Sequence, residues 1–292
     1  MKVRYTAGEQ AFHVVNVILC TFFSLCVLIP VLNIVFASLS DPIEVMKHSG
    51  IFWHPMHFST VSYGMVMRNR NILTGYANTI FVVVVGTSIN VVLSLIGAYC
   101  LSRKGVMLNK FFTMAIVFTM YFQGGTIPTY LIVQNLHLTG SRWSLILPGA
   151  ISTFNMIVMR TAMAAVPDSL PESAKIDGAG HVTILFQIMA PLTKATIAVI
   201  TLYYAVAHWN SWFPAMIYLH KQSMYPLQLV LRQILIEDDT DIMTSGVEDA
   251  LAMASDTVKY ATIVVATAPI LAVYPFLQKY FVKGVMIGSV KG

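Results

Sequence analysis

The chain has 292 residues, of which 57% are hydrophobic and 11% charged, and its mean hydropathy is +0.71. A soluble globular domain carries about 25% charged residues, so this composition argues against a soluble enzyme or binding module. The formal net charge of +5 does not indicate nucleic-acid binding, because the basic residues are scattered along the chain and form no basic stripe. The apolar residues lie in long blocks, which is typical of a protein that crosses a membrane several times.

Six apolar stretches are each near or above the ~20 residues that an α-helix needs to cross the hydrocarbon core. In chain order they are 12–39, 76–101, 111–134, 143–163, 195–219 and 260–281. The first resembles a signal peptide, but it is longer than the apolar part of such a peptide and no cleavage motif follows, so we expect a retained helix. The sequence predicts an all-α, polytopic membrane protein with six transmembrane helices, in a single domain over 1–292.

The distribution of Lys and Arg predicts how the chain is oriented. With a cytoplasmic N-terminus, eleven of the 18 Lys and Arg residues lie on the cytoplasmic side, and Arg103 and Lys104 give the clearest indication. Both termini are then cytoplasmic. The segments expected outside are the loops 40–75 and 220–259, whereas the loop 166–193 and the tail 283–292 are expected in the cytoplasm.

The sequence offers little for catalysis or for ion-coupled transport. The three cysteines lie inside apolar stretches and show neither metal nor disulfide spacing: Cys20, Cys26 and Cys100. The cores of the predicted spans contain no Asp, Glu, Lys or Arg, which argues against a carrier driven by an ion gradient. The single titratable candidate, His208, is more typical of a packing or hydrogen-bonding residue. No G-x-x-x-x-G-K-[ST] motif is present, so the chain has no such loop with which to bind ATP.

The two loops predicted outside the membrane contain features that could bind an external partner. His54 and His57 have a spacing that metal ligands can have, but without a third ligand we favour a surface that docks an external partner. The segment 226–236 is apolar and begins with Pro, which predicts a helix. Anchoring at the membrane interface and contact with a partner are equally good interpretations of this helix.

Two of the predicted spans have the features expected of a transport pathway. Paired glycines interrupt the third span, and irregular backbone at that depth survives only where it is buried or lines a cavity. The fifth span presents aromatic and amide side chains, which suit neutral polar rings such as sugars. An interfacial aromatic belt with an amide bonded to a neighbouring helix remains the alternative. The candidate pathway residues are Gln123, Gly124, Gly125, Trp209, Asn210 and Trp212.

The stretch 169–192 is a polar, helix-capable island between two apolar stretches, so it lies at a membrane surface. Ser169 and Glu172 have the S-x-x-E spacing of a capping box. Either Gly178 or Gly180 can supply the left-handed residue that ends a helix. The sequence therefore predicts a helix of about two turns, a sharp bend and a second amphipathic segment.

This island also resembles a known family motif. Glu172-Ser-Ala-Lys-Ile-Asp-Gly178, followed by Ile188-Met-Ala-Pro191, resembles the E-A-A-x-x-x-G…I-x-x-P loop of permease subunits in bacterial ABC importers. Ser173 stands where the pattern usually has Ala, a change between small residues. The second and fifth spans and the C-terminal tail resemble the carbohydrate-uptake group, specifically its maltose-transporter-like second permease. Within that group the chain is most similar to importers of complex oligosaccharides, including alginate or rhamnogalacturonan fragments.

The resemblance implies a type I ABC importer permease fold and a non-catalytic subunit in the bacterial cytoplasmic (inner) membrane. Its implied partners are a second homologous permease, two cytoplasmic ATPases that bind ATP and Mg²⁺, and an extracytoplasmic solute-binding protein. The chain itself would bind no cofactor or metal; its other contacts would be with the oligosaccharide and membrane lipid. The implied ATPase-coupling residues are Ser169, Glu172, Ser173, Ala174, Asp177, Gly178 and Gly180. A self-sufficient secondary carrier or channel for small polar solutes is the alternative function.

Overall fold

A computed structural model of the chain describes residues 6–48, 50–236 and 257–272. Within these ranges every regular element is helical, in agreement with the all-α prediction. The chain divides into two compact units, which we describe separately. The first comprises Met1–Arg70 and Gln233–Ala268, and the second comprises Asn71–Arg232 and Pro269–Gly292.

The described helices differ widely in length. In chain order they are α1 (Ala7–Ser38), α2 (Pro42–Lys47), α3 (Val61–Arg68), α4 (Arg70–Ser102), α5 (Asn109–Tyr121), α6 (Thr126–Asn135), α7 (Thr153–Ala164), α8 (Ser169–Ile176), α9 (His181–Leu192), α10 (Lys194–Trp209), α11 (Trp212–Tyr218), α12 (Leu227–Ile236) and α13 (Thr257–Ala272). Two of them contain a π-helical segment, Val82–Gly86 in α4 and Ile184–Met189 in α9. Short 3₁₀ turns occupy Arg142–Leu145 and Gln222–Met224.

By length and composition, fewer of the described helices could cross a membrane than the six spans predicted from the sequence. Among the described residues, Gly8–Ser38 and Arg70–Ser102 are long and apolar enough to cross a membrane. Two pairs of consecutive helices meet the same criterion only when each pair is counted as a single bent crossing. These pairs are α5 with α6, bent by 111°, and α9 with α10, bent by 90°. The described chain therefore contains two such helices, or up to four.

Three of the expected spans are not continuous helices. The third is interrupted at 122–125, where the paired glycines were expected to bend it, and the fifth at Asn210 and Ser211. The prediction of a helix over 143–163 is wrong, because a 3₁₀ turn and the irregular segment 146–152 precede the 12-residue α7. The sixth is helical to Ala272; its remainder, the tail 283–292 and part of the loop 220–259 lie outside the described residues.

The first unit is built around the C-terminal end of α1. A capping box joins Thr6 and Glu9 at the start of this helix. None of the residues in its most apolar window is buried, as expected of a helix whose sides face lipid or another subunit. At its other end the loop 40–60 folds back, because Asn33 Oδ1 accepts a hydrogen bond from the Phe52 backbone N–H at 2.7 Å. The following helix, α3, is held there too, since Ser38 Oγ lies 2.7 Å from the Tyr63 hydroxyl.

The second unit has two apolar clusters, both arranged on α4. One contains buried side chains of α4, α7, α9 and α10, among them Leu95, Tyr99, Met159, Ile184 and Ile200. The other contains Val82, Val133, Ile146, Tyr218 and Leu229. The long helix α4 thus carries both clusters, and shorter helices pack on it along its length. This arrangement positions the segment 166–193 beside the C-terminal end of α4.

Candidate functional site

The helix α8 lies where the sequence predicts the coupling helix, but it does not begin with the predicted capping box. Asp168 is the residue before the first turn, and its side chain makes no capping hydrogen bond. Ser169 lies within the helix, where its carbonyl accepts from Ser173 Oγ at 2.8 Å. The capping-box prediction is therefore wrong. Its physical reason is that the helical backbone already includes Asp168, so the first turn starts one residue earlier than the S-x-x-E spacing indicates.

The C-terminal end of α8 is a Schellman motif, which confirms the prediction of a glycine cap and identifies Gly178 as the residue. Its φ is +83°, its N–H donates to the Lys175 carbonyl at 3.0 Å, and the N–H of Ala179 donates to the Ala174 carbonyl at 2.8 Å. Gly180 has an ordinary extended conformation and precedes α9. Because nothing lies within 4 Å of a Cβ at Gly178, its backbone conformation, not lack of space, favours glycine there.

Two contacts fasten this segment to the end of α4. Lys104 Nζ lies 2.6 Å from Asp168 Oδ2, just before α8. On the other side of the loop, the Tyr99 hydroxyl lies 3.0 Å from His181 Nδ1. The hydrogen bond from Lys104 lowers the pKa of the Asp168 carboxyl, and the same contact raises the pKa of Lys104. The loop is thus held both before and after α8.

One face of α8 packs against other helices of the second unit, to which it belongs, and the other face is open. Pro171 is buried, and Ala174 is half-buried against the α4–α7–α9–α10 cluster. On the open side Ile176 is 87% exposed and Leu170 44%. The remaining predicted coupling residues are also exposed: Ser169, Glu172, Ser173, Asp177, Gly178 and Gly180. The structure therefore brings all seven predicted residues into one short segment that combines a fixed backbone with an exposed face.

A buried polar layer inside the bundle was not predicted from the sequence. Asn90 Nδ2 donates to the carbonyls of Gly149 and Ala150 at 2.6 and 3.0 Å, and its Oδ1 lies 2.8 Å from His208 Nε2. One turn away, the Tyr204 hydroxyl lies 2.7 Å from Ser94 Oγ and accepts from a backbone N–H of the irregular segment at 2.9 Å. The expectation that His208 is a hydrogen-bonding residue is confirmed.

This polar layer explains how the irregular segment 146–152 can lie inside a bundle of apolar helices. Backbone polar groups that lack helical partners must be satisfied by protein when water is absent. Here α4 and α10 supply those partners. The sequence signal was present: Asn90 and Ser94 on one helix, and Tyr204 and His208 on the other, are each spaced by four residues and so share a helix face.

The break between α5 and α6 lines a cavity. This cavity has a volume of about 480 Å³ and lies against α11. Of the six predicted pathway residues, Gln123, Gly124 and Gly125 line it, together with Phe213 and Tyr218 among others. Gly125 has φ +86°, a conformation that favours glycine. The irregular backbone thus lines a space, as the sequence predicted.

The other three predicted pathway residues lie elsewhere than on this cavity. Trp209 is half-buried; its ring meets that of Tyr76 edge to face at 6.4 Å, and its indole N–H finds no hydrogen-bond partner among the described residues. Asn210 ends α10 and donates to the Val206 carbonyl at 2.9 Å. Trp212 lies 5.2 Å beneath the guanidinium of Arg232.

The outer-loop predictions have separate outcomes. Within the described residues no group of three or more His, Cys, Asp and Glu side chains could hold a metal ion, so the pair His54 and His57 gains no third ligand there. The segment 226–236 is helical from Leu227, as predicted. It is fastened to α4: Thr79 Oγ1 accepts from the Leu227 N–H at 2.8 Å, and Asn78 Nδ2 donates to the Tyr225 carbonyl at 3.0 Å.

Comparison with known proteins identifies the family. No family model matches the chain. The chain is 41% identical, over 92% of its length and 94% of the relative, to the polygalacturonan/rhamnogalacturonan transport system permease protein YtcP of Bacillus subtilis (strain 168). The chain belongs to the permease subunits of carbohydrate ABC importers. This permease is also 38% identical to protein LplC of the same organism, over 98% of the chain and 97% of LplC.

A solved structure supports the same assignment. The permease matches a chain in the crystal structure of a bacterial ABC transporter involved in the import of the acidic polysaccharide alginate. The TM-score is 0.87 with 32% identity, over 96% of the permease and all of the matched chain. The fold is therefore that of an ABC importer permease in a multi-pass membrane protein. Permease membership also decides between the two functions that the sequence left open, in favour of the importer subunit and against a self-sufficient carrier or channel.

Proposed function

We propose that this permease forms one half of the translocation pathway of an ATP-driven importer and that α8 couples it to cytoplasmic ATPases. The observation that carries the proposal is the combination of a fixed backbone and an exposed surface in α8 that includes the apolar side chains of Leu170 and Ile176. The Lys104–Asp168 pair and the Tyr99–His181 hydrogen bond hold the segment, while Ile176 is 87% exposed. Exposed apolar side chains on a rigid segment suit contact with a protein partner.

The proposed assembly contains a second homologous permease, two ATPases that bind ATP and Mg²⁺, and an extracytoplasmic solute-binding protein. Within it, Glu172 and Ser173 lie on the surface that meets the ATPase, and Gly178 sets the bend behind them. The break at Gln123–Gly125 and its cavity contribute to the pathway wall. Trp209, Asn210 and Trp212 flank the neighbouring helix break, at Asn210 and Ser211, and remain candidates for contact with the sugar.

We further propose six membrane crossings, with both termini on the cytoplasmic side of the bacterial cytoplasmic membrane. The 33 residues of α4 give a length of about 50 Å, which is enough to cross. Asn78, near its start, bonds to the outer-loop residue Tyr225, and Lys104, just after its end, pairs with Asp168. The loops at 220–225 and 166–193 therefore lie at opposite ends of α4, which supports the orientation derived from Lys and Arg.

For the substrate we propose an oligosaccharide that contains uronic acid. The related YtcP is named for polygalacturonan and rhamnogalacturonan transport, and the solved neighbour imports alginate. In this chain, Arg142 lies 5.4 Å above the Phe81 ring, and Arg232 lies 5.2 Å above Trp212. A guanidinium can bind a carboxylate through its N–H groups, and the aromatic ring beside it offers an apolar face for a sugar.

One experiment tests both the substrate and the coupling. The permease is reconstituted with its partner subunits and solute-binding protein, and ATP hydrolysis is measured with oligogalacturonate or with a neutral glucose oligomer. We expect stimulation by the acidic sugar and little by the neutral one. In Gly178→Val we expect the stimulation to be lost while the protein still inserts, because a β-branched residue disfavours φ +83° and disrupts the Schellman turn.

The matched control is Gly140→Val. Gly140 has φ +74°, and the nearest atom to a Cβ there is His220 Cδ2 at 3.8 Å, so the backbone strain resembles that at Gly178 and space is available. Gly140 lies outside α8, its turn and the Lys104–Asp168 contact. Normal stimulation in the Gly178 variant, or equal loss in the control, would contradict coupling through this segment.

A further inference from the structure

A groove outside the coupling loop and the pathway cavity lies between α5 and α7. Its volume is about 530 Å³, and it is lined by Asn109, Lys110, Thr113, Met114, Val117 and Arg160. The groove belongs to the same end of the bundle as the coupling loop, because Arg160 Nε donates to the Leu101 carbonyl at 3.0 Å, close to Lys104. Nothing in the proposed transport mechanism uses this groove.

The lining changes from charged to apolar along α5. Asn109 and Lys110 lie in the first turn of this helix, whereas Met114 and Val117 follow one and two turns later. At 1.5 Å per residue the transition extends over roughly 10 Å. The groove therefore offers a cationic, hydrogen-bonding end and an apolar end to one elongated ligand.

The cationic end lacks an anion within the described chain. Its two basic side chains are Lys110, which is exposed, and Arg160, which is half-buried. Lys47–Glu44 and Lys104–Asp168 are ion pairs among the described residues, and neither involves these two side chains. A half-buried guanidinium without a counter-ion is costly, so an external anion would stabilise this end.

The residues before and along α5 place this end at a membrane surface. The turn that precedes the helix exposes three consecutive apolar side chains: Val106 at 47%, Met107 at 84% and Leu108 at 60%. On α5 itself Phe111 is 64% exposed and Phe112 50%. Such a surface is unfavourable in water and suits the boundary between headgroups and acyl chains.

We propose that this groove binds an anionic phospholipid. Its phosphate lies between Lys110 and Arg160, and an acyl chain lies along Met114 and Val117. Basic pockets at the cytoplasmic ends of transmembrane helices are suited to acidic headgroups. A free phosphate would use only the cationic end and would leave the apolar wall uncovered. The proposal depends on neither the transported sugar nor the role of α8, so it can fail while the proposed function stands.

The test measures which lipid remains bound to the full-length permease, purified with its partner subunits. The complex is equilibrated in detergent with equimolar phosphatidylglycerol and phosphatidylcholine, and the retained lipids are quantified by mass spectrometry. We expect phosphatidylglycerol to be enriched. In Lys110→Gln we expect the enrichment to fall about fivefold, the equivalent of ~1 kcal/mol for one basic side chain near an anionic headgroup. The control is Lys194→Gln, at an exposed lysine at the start of α10.

A second variant protects the test from a folding defect. Met114→Glu adds a carboxylate at a side chain that is 65% exposed, so it removes no buried packing contact, while the new charge repels the headgroup phosphate. We expect this variant to lose the enrichment. Equal retention of the two lipids by the wild type, or an equal loss in Lys194→Gln, would overturn the proposal. Displacement of phosphatidylglycerol by inorganic phosphate at tenfold the lipid concentration would overturn it in favour of a small-anion site.

Discussion

Replacing Gly86 by Ala tests the buried polar layer directly. A Cβ at Gly86 would lie 2.6 Å from Nε2 and 2.9 Å from Cε1 of His208, well inside the 3.5–4.0 Å of an ordinary contact between heavy atoms. The imidazole has little freedom to retreat, because it is 8% exposed and lies 2.8 Å from Asn90 Oδ1. The methyl group therefore overpacks the core and also pushes the ring away from Asn90, which breaks the hydrogen bond between Asn90 and His208.

The size of the effect follows from these two costs. Overpacking a well-filled core costs about 1–3 kcal/mol, and leaving buried polar groups unpaired costs about 1–3 kcal/mol more. Ala gains back about 1 kcal/mol over Gly in a helix. The expected net loss is therefore roughly 3 kcal/mol of unfolding free energy. This loss of stability is measured by denaturant or thermal unfolding of the detergent-solubilised assembly. Unfolding is followed as the decrease in the amount of monodisperse protein.

The same helix supplies a matched control, Gly97→Ala. A Cβ at Gly97 would also approach another residue to 2.6 Å, but that atom is Sδ of Met156, in a side chain with three rotatable bonds. Holding the Met156 side chain slightly off its rotamer costs about 0.5–1.5 kcal/mol, which the gain in helix propensity offsets, so this variant should match the wild type. Equal stability of the Gly86 and Gly97 variants would refute the reasoning. So would a double variant, Gly86→Ala with His208→Ala, that is less stable than His208→Ala alone, since removing the ring removes the clash.

Two further predictions concern contacts at either end of α4. Because the pKa of Asp168 is lowered, its ion pair with Lys104 should protect the α8 amides from hydrogen exchange at every pH above the ordinary carboxyl pKa of about 4, and this protection should be lost as the pH falls through the lowered pKa. Asp168→Asn should remove the protection at pH 7, whereas protection that is independent of pH and survives the substitution would show that the ion pair does not hold α8. Thr79→Val removes the acceptor of the Leu227 N–H and should lower the unfolding free energy by about 1–3 kcal/mol, whereas an unchanged transition would show that this bond contributes nothing.

The elements that could be predicted from sequence are those set by local chemistry. The helix of about two turns at α8, its glycine-capped end and the helix at 227–236 follow from Pro, Gly and apolar patterns over a few residues. The choice of Gly178 over Gly180 needed the structure, since both can adopt positive φ. The capping-box prediction failed because spacing alone does not fix where a first turn starts.

The crossings could not be counted from apolar length, and the reason lies in 143–163. This stretch is as apolar as a transmembrane helix, yet Asn90 and Tyr204 supply hydrogen-bond partners for its irregular half. Those partners are 52 to 60 residues distant in sequence, so no local pattern shows the pairing. The polar residues themselves were visible in apolar spans. The signal was that Asn90 and Ser94, like Tyr204 and His208, are four residues apart in the sequence. Only a comparison of these two pairs would have indicated that the two helices share one polar layer.

These contacts make α4 the element through which the parts of the second unit are connected. Near its start it holds the segment leading to α12 through Asn78, in its C-terminal half it holds the irregular segment through Asn90, and at its end it holds the segment 166–193 through Tyr99. Packed cores and satisfied polar networks deform little. We therefore expect a displacement of α8 to reach α4 and the segment 146–152 together, whereas the glycine-containing break between α5 and α6 has the backbone freedom to bend.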